Sequence, residues 1–151
     1  MTTPSCSTTN SGYPSDNQMI IDSSALLAIL FNEPDAQVHA EAIAQAQSAH
    51  ISAANWLETA IRIDHGGSPI ASNAMDDLIR EARIEIAPVT ADHVSIARQA
   101  YRAYGKGTGH PAQLNFGDCF SYALAKSTRQ PLLFKGNDFS HTDLPAALKP
   151  L

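Results

Sequence analysis

The chain has 151 residues, 44% of them hydrophobic and 17% charged, which suits one folded domain with one core and excludes a disordered polymer. No apolar run approaches the length needed to cross a bilayer, so a membrane-spanning reading is excluded as well. The formal net charge of −5 argues against a general nucleic-acid coat protein, which needs lysine and arginine for phosphate. It leaves room for an enzyme that gathers carboxylates around cations.

Residues 1–18 are rich in Ser, Thr, Asn and Pro and are expected to form a disordered N-terminal extension. They contain no basic start leading into a hydrophobic stretch, so no secretory signal is expected. Met19 opens the first apolar element and is a candidate translation start. Residues 19–21 read as a short buried strand, and Ser23 or Ser24 can cap a helix running to Phe31. Asn32, Glu33 and Pro34 break it, and an alanine-rich helix follows over about 35–47. Residues 50–52 are a second strand, followed by a helix over about 54–63. The glycines 66 and 67 with Pro69 end that helix, and another covers about 71–82. Residues 84–86 are strand-like, Thr90 is a cap, and a helix covers 91–104. A glycine-rich loop, 105–109, leads to a helix over 116–127, and residues 132–134 form the last strand, stopped by Gly136 and Asn137. Short apolar strands alternating with helices predict an α/β fold whose parallel sheet is covered on both faces. Ligands in such folds bind beyond the carboxyl ends of the strands.

Four acids fall at informative places. Asp22 directly follows the first strand, and Asp138 follows the last within a few residues. Glu58 and Asp118 lie on helices whose neighbouring residues are apolar nearly all round, which predicts that both helices are buried. Each acid also has an ordinary reading: a cap for Asp22, a solvated face for Glu58, a helix-start charge for Asp118, a turn for Asp138. Buried carboxylates that crowd one another are costly, and a hard divalent cation relieves both problems, so Mg2+ or Mn2+ is the expected cofactor. The six histidines show no metal-ligand spacing. Cys6 and Cys119 belong to no CxxC pair, which fits a reducing, cytoplasmic setting, and Cys119 reads as a small core residue.

At these acids the sequence resembles the PIN-domain ribonucleases, specifically the VapC-type toxins of type II toxin–antitoxin pairs. The resemblance rests on Met19-Ile20-Ile21-Asp22-Ser23-Ser24-Ala25-Leu26, on Ala54-Asn55-Trp56-Leu57-Glu58-Thr59-Ala60, on Asn115-Phe116-Gly117-Asp118-Cys119-Phe120-Ser121-Tyr122, and on Leu132-Leu133-Phe134-Lys135-Gly136-Asn137-Asp138-Phe139. It departs at Gly136, where family members often carry Ser or Thr. It implies a PIN-like three-layer fold over 19–145, with 146–151 as a C-terminal tail. Asp22, Glu58, Asp118 and Asp138 would then be the catalytic acids, with Asp22 and Asp118 as metal ligands. Glu58 would orient or deprotonate the attacking water, and Ser23 would hydrogen-bond a ligand carboxylate, a phosphate or the helix start.

The implied reaction is metal-dependent hydrolysis of RNA, with a cognate VapB-like antitoxin as partner, no membrane, and homodimerisation open. A housekeeping PIN nuclease and an inactive PIN-like binding module are the alternatives. A haloacid-type phosphatase needs a second Asp where Ser24 stands, and a phosphoaspartate receiver needs paired acids that are missing. Arg98, Arg102 and Lys106, together with Lys126 and Lys135, are candidates to guide phosphate or are solvated face residues. Tyr101 and Tyr104 share an apolar stripe with Val94 and Ala97 and are expected in the core.

Overall fold

The computed structural model describes residues 17–148. Its sheet is built from four short apolar runs, β1 (Gln18–Ile21), β2 (Ser48–Ser52), β3 (Ile84–Ala87) and β4 (Leu132–Leu133), in the order β3-β2-β1-β4. All three pairings are parallel, with Met19 opposite Ala49, Ile20 opposite Leu132 and Ile51 opposite Ile86. Every connection is therefore a crossover, and helices supply it: α1 (Ser23–Leu30), α2 (Ala36–Gln45), α3 (Ala53–His65), α4 (Pro69–Glu81), α5 (Ala91–Tyr104) and α6 (Phe116–Thr128).

Side chains alternate across a strand, and β1 shows why the domain has three layers. Ile20 points into one core with Leu114, Tyr122, Leu124 and Leu132, beneath α5 and α6. Met19 and Ile21 point into the other, with Leu26, Ile43, Ile51, Ile84 and Leu133. The central strand β1 is thus buried on both faces, which explains the unbroken apolar run Met19-Ile20-Ile21.

The element boundaries differ from expectation for local reasons. Gln18, assigned to the extension, opens β1 and pairs with Ser48; residues 1–16 lie outside the described residues. Asp22 caps α1, not Ser23 or Ser24: its side chain accepts from the Ser24 backbone N–H. Pro69 starts α4 instead of preceding it, because Ser68 caps the helix and a proline in the first turn forfeits no helical hydrogen bond. Ala146, placed in the C-terminal tail, pairs with Leu132, and the Ala147 N–H donates to the Leu132 carbonyl at 2.8 Å. The chain after Asn137 first forms one 3-10 turn, Asp138–His141, and then covers the outer edge of β4.

Candidate active site

β1, β2 and β4 all end on the same side of the sheet, and α1 and α3 start there at once. Asp22 sits at the junction of β1 and α1, 3% exposed, with its N–H bonded to the Leu133 carbonyl at 2.9 Å. Its carboxylate is held on both oxygens. Oδ2 accepts from the Ser24 N–H at 3.0 Å and the Ser24 hydroxyl at 2.6 Å, and Oδ1 accepts from the Ser121 hydroxyl at 2.6 Å. Ser24 Oγ accepts in turn from the Lys135 N–H at 2.9 Å, tying the chain after β4 to the same point. Three donors to one buried carboxylate offset much of its desolvation cost.

Glu58 lies on α3, and here the structure corrects the sequence reading. The apolar residues of α3 do not surround a buried acid: Leu57 and Ile61 are 53% and 58% exposed. The buried face is largely polar, formed by Asn55 and Thr59 with Ile63. The Asn55 amide donates to the Gly117 carbonyl at 2.9 Å and to Ser23 Oγ at 3.4 Å, and the Thr59 hydroxyl donates to the Asn55 carbonyl at 2.8 Å. Ser23 donates to Glu58 Oε1, so α1 fixes the Glu58 carboxylate against α6. That approach requires a glycine at 117, because a Cβ there would lie 2.0 Å from Glu58 Oε2.

Asp118 does belong to a helix start, as its ordinary reading proposed, and to the acidic cleft as well. Asn115 caps α6 and the two residues exchange bonds: Asn115 Oδ1 accepts from the Asp118 N–H at 2.9 Å, and Asp118 Oδ2 accepts from the Asn115 N–H at 3.0 Å. Burial raises the Asp118 carboxyl to about 7, the Asn115 backbone bond opposes that rise, and the negative charges of Asp22, Asp138 and Glu58 add to it. Acids from three other segments thus come close enough to Asp118 for their charges to act on it. Asp138 is the exposed member, at the first residue of the 3-10 turn.

The donor set suits a hard cation. It consists of carboxylate oxygens, and His39, His50, His93 and His110 are engaged with Asp35, Glu85, Thr90 and Ala112. Among the described residues no three His, Cys, Asp or Glu side chains close into a cage for a metal ion. A hydrated ion of the magnesium type needs no such cage, since it keeps several waters and takes one or two carboxylates. Asp118 Oδ1 is left uncommitted among the described residues, and Asp22 keeps acceptor capacity beyond its three donors.

Other expectations sort clearly. Lys126 is paired with Asp143, and Lys135 with Glu33 and Asp35, which leaves Arg98, Arg102 and Lys106 without ion pairs among the described residues. Tyr101 is 44% exposed and is not a core residue, whereas Tyr104 is partly buried against Tyr122 and His110. Cys119 is buried, its thiol pushed up to about 11 chiefly by that burial. Sequence reasoning missed Ser121, Ser24 as a carboxylate donor, and Asn55. Ser121 was findable, because three residues beyond Asp118 it shares that helix face.

Comparison with known proteins identifies relatives of the whole domain. The PIN domain family model matches residues 19–144. Ribonuclease VapC28 of Mycobacterium tuberculosis is 52% identical over 130 residues, covering 86% of this chain and 98% of that protein. Ribonuclease VapC42 of the same species is 45% identical over 129 residues, covering 85% and 98%. Among solved structures, M. tuberculosis VapC20, described as a sarcin-ricin loop cleaving toxin, superposes with a TM-score of 0.68 at 17% identity, covering 87% of this chain and 99% of that one. VapBC2 from Rickettsia felis, bound to a promoter DNA fragment, superposes with a TM-score of 0.67 at 14% identity, covering 85% and 96%.

Proposed function

The chain belongs to the PIN-domain family, and we propose on that premise that it is the ribonuclease toxin of a toxin–antitoxin pair. Its substrate is an RNA phosphodiester, cut in the cleft of Asp22, Glu58, Asp118 and Asp138 with Mg2+ or Mn2+. The observation that carries the reading is the convergence of Asp22, Glu58 and Asp138 on Asp118, from four separate segments, with the Asp118 carboxyl raised chiefly by burial and further by their charges. Such a concentration of negative charge is costly in a fold that has no cation to balance it.

Asp22 and Asp118 would hold the ion, which when bound acidifies a water and neutralises charge building on the phosphate. Ser121 and Ser24 fix the rotamer of Asp22, and the Asn115 N–H fixes that of Asp118. Glu58, whose Oε1 accepts from Ser23, would orient the attacking water or take its proton. Asp138 lies on the exposed rim, where its charge adds to the field that draws in the cation.

The partner is a VapB-like antitoxin. Phe31 at the end of α1, Val38 on α2, and Leu57 and Ile61 on α3 are all about half exposed, and α1 packs against both other helices. These side chains give an antitoxin helix an apolar seat beside the acids, into which one of its arginines or lysines can reach. No helix among the described residues is long and apolar enough to cross a membrane, and a cytoplasmic setting is proposed.

The test is cleavage of a structured RNA by metal-stripped protein, before and after Mg2+ or Mn2+ is returned. Activity that appears only with the ion, and is absent from folded Asp22→Asn, is the expected result. Undiminished cutting in excess EDTA overturns the metal-dependent reading. For the partner, the gene is expected to lie beside a small open reading frame whose co-expressed product gives a complex that no longer cuts.

A further inference from the structure

We propose that Phe116, Tyr101 and Lys106 form a nucleotide subsite next to the acidic cleft, holding an unpaired RNA base that flanks the scissile phosphate; the proposal rests on the ribonuclease reading. Phe116, the first residue of α6, is 79% exposed, which is costly for a phenylalanine whose one ring neighbour among the described residues is Phe120, at 4.9 Å. Across an open cleft of about 600 Å³, lined also by Gly107 and Asn115, stands Tyr101. Its ring is not free to turn away. The hydroxyl donates to the Lys106 carbonyl at 2.8 Å, and the ring lies so close over Gly105 that a Cβ there would be 2.7 Å from Tyr101 Cδ2. An aromatic face is thereby held in place, half exposed, before anything binds.

The cleft carries a cation as well. Lys126 and Lys135 are committed to carboxylates, whereas Lys106 has no ion pair among the described residues and lines this cleft. Two aromatic rings and one lysine recognise a nucleotide: any base offers a π face for stacking, and its phosphate takes the charge. Asn115 joins the two regions. It lines the cleft, and its N–H donates to Asp118 Oδ2 at 3.0 Å, so cleft and acids share a wall. A strand whose phosphate sits at a cation held by Asp22 and Asp118 meets Phe116 across the shared Asn115 wall.

The experiment uses the full chain in EDTA, where nothing is cut, with a fluorescent single-stranded RNA octamer and the same octamer carrying abasic sites. Steady-state cleavage with Mg2+ follows in parallel. Phe116→Ala should weaken octamer binding and raise KM by about 5- to 100-fold, with kcat within about twofold, while Phe116→Trp restores both. The abasic octamer should bind wild type and Phe116→Ala alike. Lys106→Ala should make the negative slope of log K against log salt shallower by about 0.7. Unchanged Kd and KM in Phe116→Ala overturn the subsite and leave the ribonuclease reading intact. So does a Phe116→Ala protein that turns from dimer to monomer in sedimentation while still binding the octamer as wild type does, which would make this face an interface between copies. A wild type that binds the octamer through Phe116 but cuts no RNA with either ion supports the subsite and overturns the ribonuclease reading.

Discussion

Asp118→Asn removes one charge from the acidic cleft while keeping the side chain's shape and an oxygen to accept from the Asn115 N–H. In the metal-free protein the Asp118 carboxyl titrates at about 7 instead of the usual 3.8, so above neutrality the fold carries a charge that the unfolded chain carries more cheaply. At about 1.4 kcal/mol per pH unit between those values, the full displacement corresponds to ~4 kcal/mol. Water reaches part of this side chain, and screening reduces the realised cost to about 1–2 kcal/mol. The sign follows from proton counting. Between about pH 4 and pH 7 the folded state binds more protons than the unfolded, so wild-type stability falls as pH rises through that window and levels off above it. The amide of the variant does not titrate and contributes no such slope. In EDTA at about pH 8 the variant should melt about 3–8 °C above wild type, with the gap closing below about pH 4. Magnesium at a hundredfold excess over its Kd should return about 2.7 kcal/mol to the wild type and little to the variant. RNA cleavage by the variant should be lost. Melts across pH, with and without the ion, alongside a cleavage assay, check each arm. A variant that cuts RNA at the wild-type rate and melts lower than wild type in EDTA at the same pH refutes the reasoning, because a simple helix-start aspartate behaves that way.

Ser121→Ala deprives Asp22 Oδ1 of its donor and should cost about 1–2 kcal/mol in chemical denaturation and about tenfold in Mn2+ affinity by titration calorimetry. Gly117→Ala pushes the Glu58 carboxylate out of its position against α6; kcat should fall while Mn2+ affinity, which the proposed function assigns to Asp22 and Asp118, stays near wild type. Cys119, buried and with its thiol held at about 11, should stay unmodified by iodoacetamide at about pH 8 in peptide mass mapping until the protein is unfolded.

The sheet was legible because β1 and β4 carry apolar pairs and triplets too short for helices and too continuous for a half-exposed strand. The acids were legible because Asp22 follows such a run directly and because the four motifs keep the order of a known pattern. What could not be read is which face of α3 turns inward. Leu57 and Ile61 outweigh Asn55 and Thr59 in any hydrophobic count, yet the buried Asn55 of that helix satisfies Ser23 and the Gly117 carbonyl across a distance of 32 to 62 residues. Long-range hydrogen bonds of this kind leave no periodic trace in sequence. Tyr101 was misplaced for a related reason. Its stripe on α5 is genuine at Ala97 and Tyr104, but the buried face runs through Ala100, which leaves Val94 and Tyr101 on the exposed margin.

Asp22 closes the first turn of α1 with the same oxygen that Ser24 holds, so one carboxylate serves as fold element and, under the proposed function, as catalytic group. A descendant protein that had lost its chemistry would still be under pressure to keep an aspartate there, since losing an N-cap costs about 1 kcal/mol. The first motif is consequently a poor marker of a living nuclease within a set of paralogues. Glu58 is a better one, because it caps no helix and a drifting pseudoenzyme would be free to shed it first.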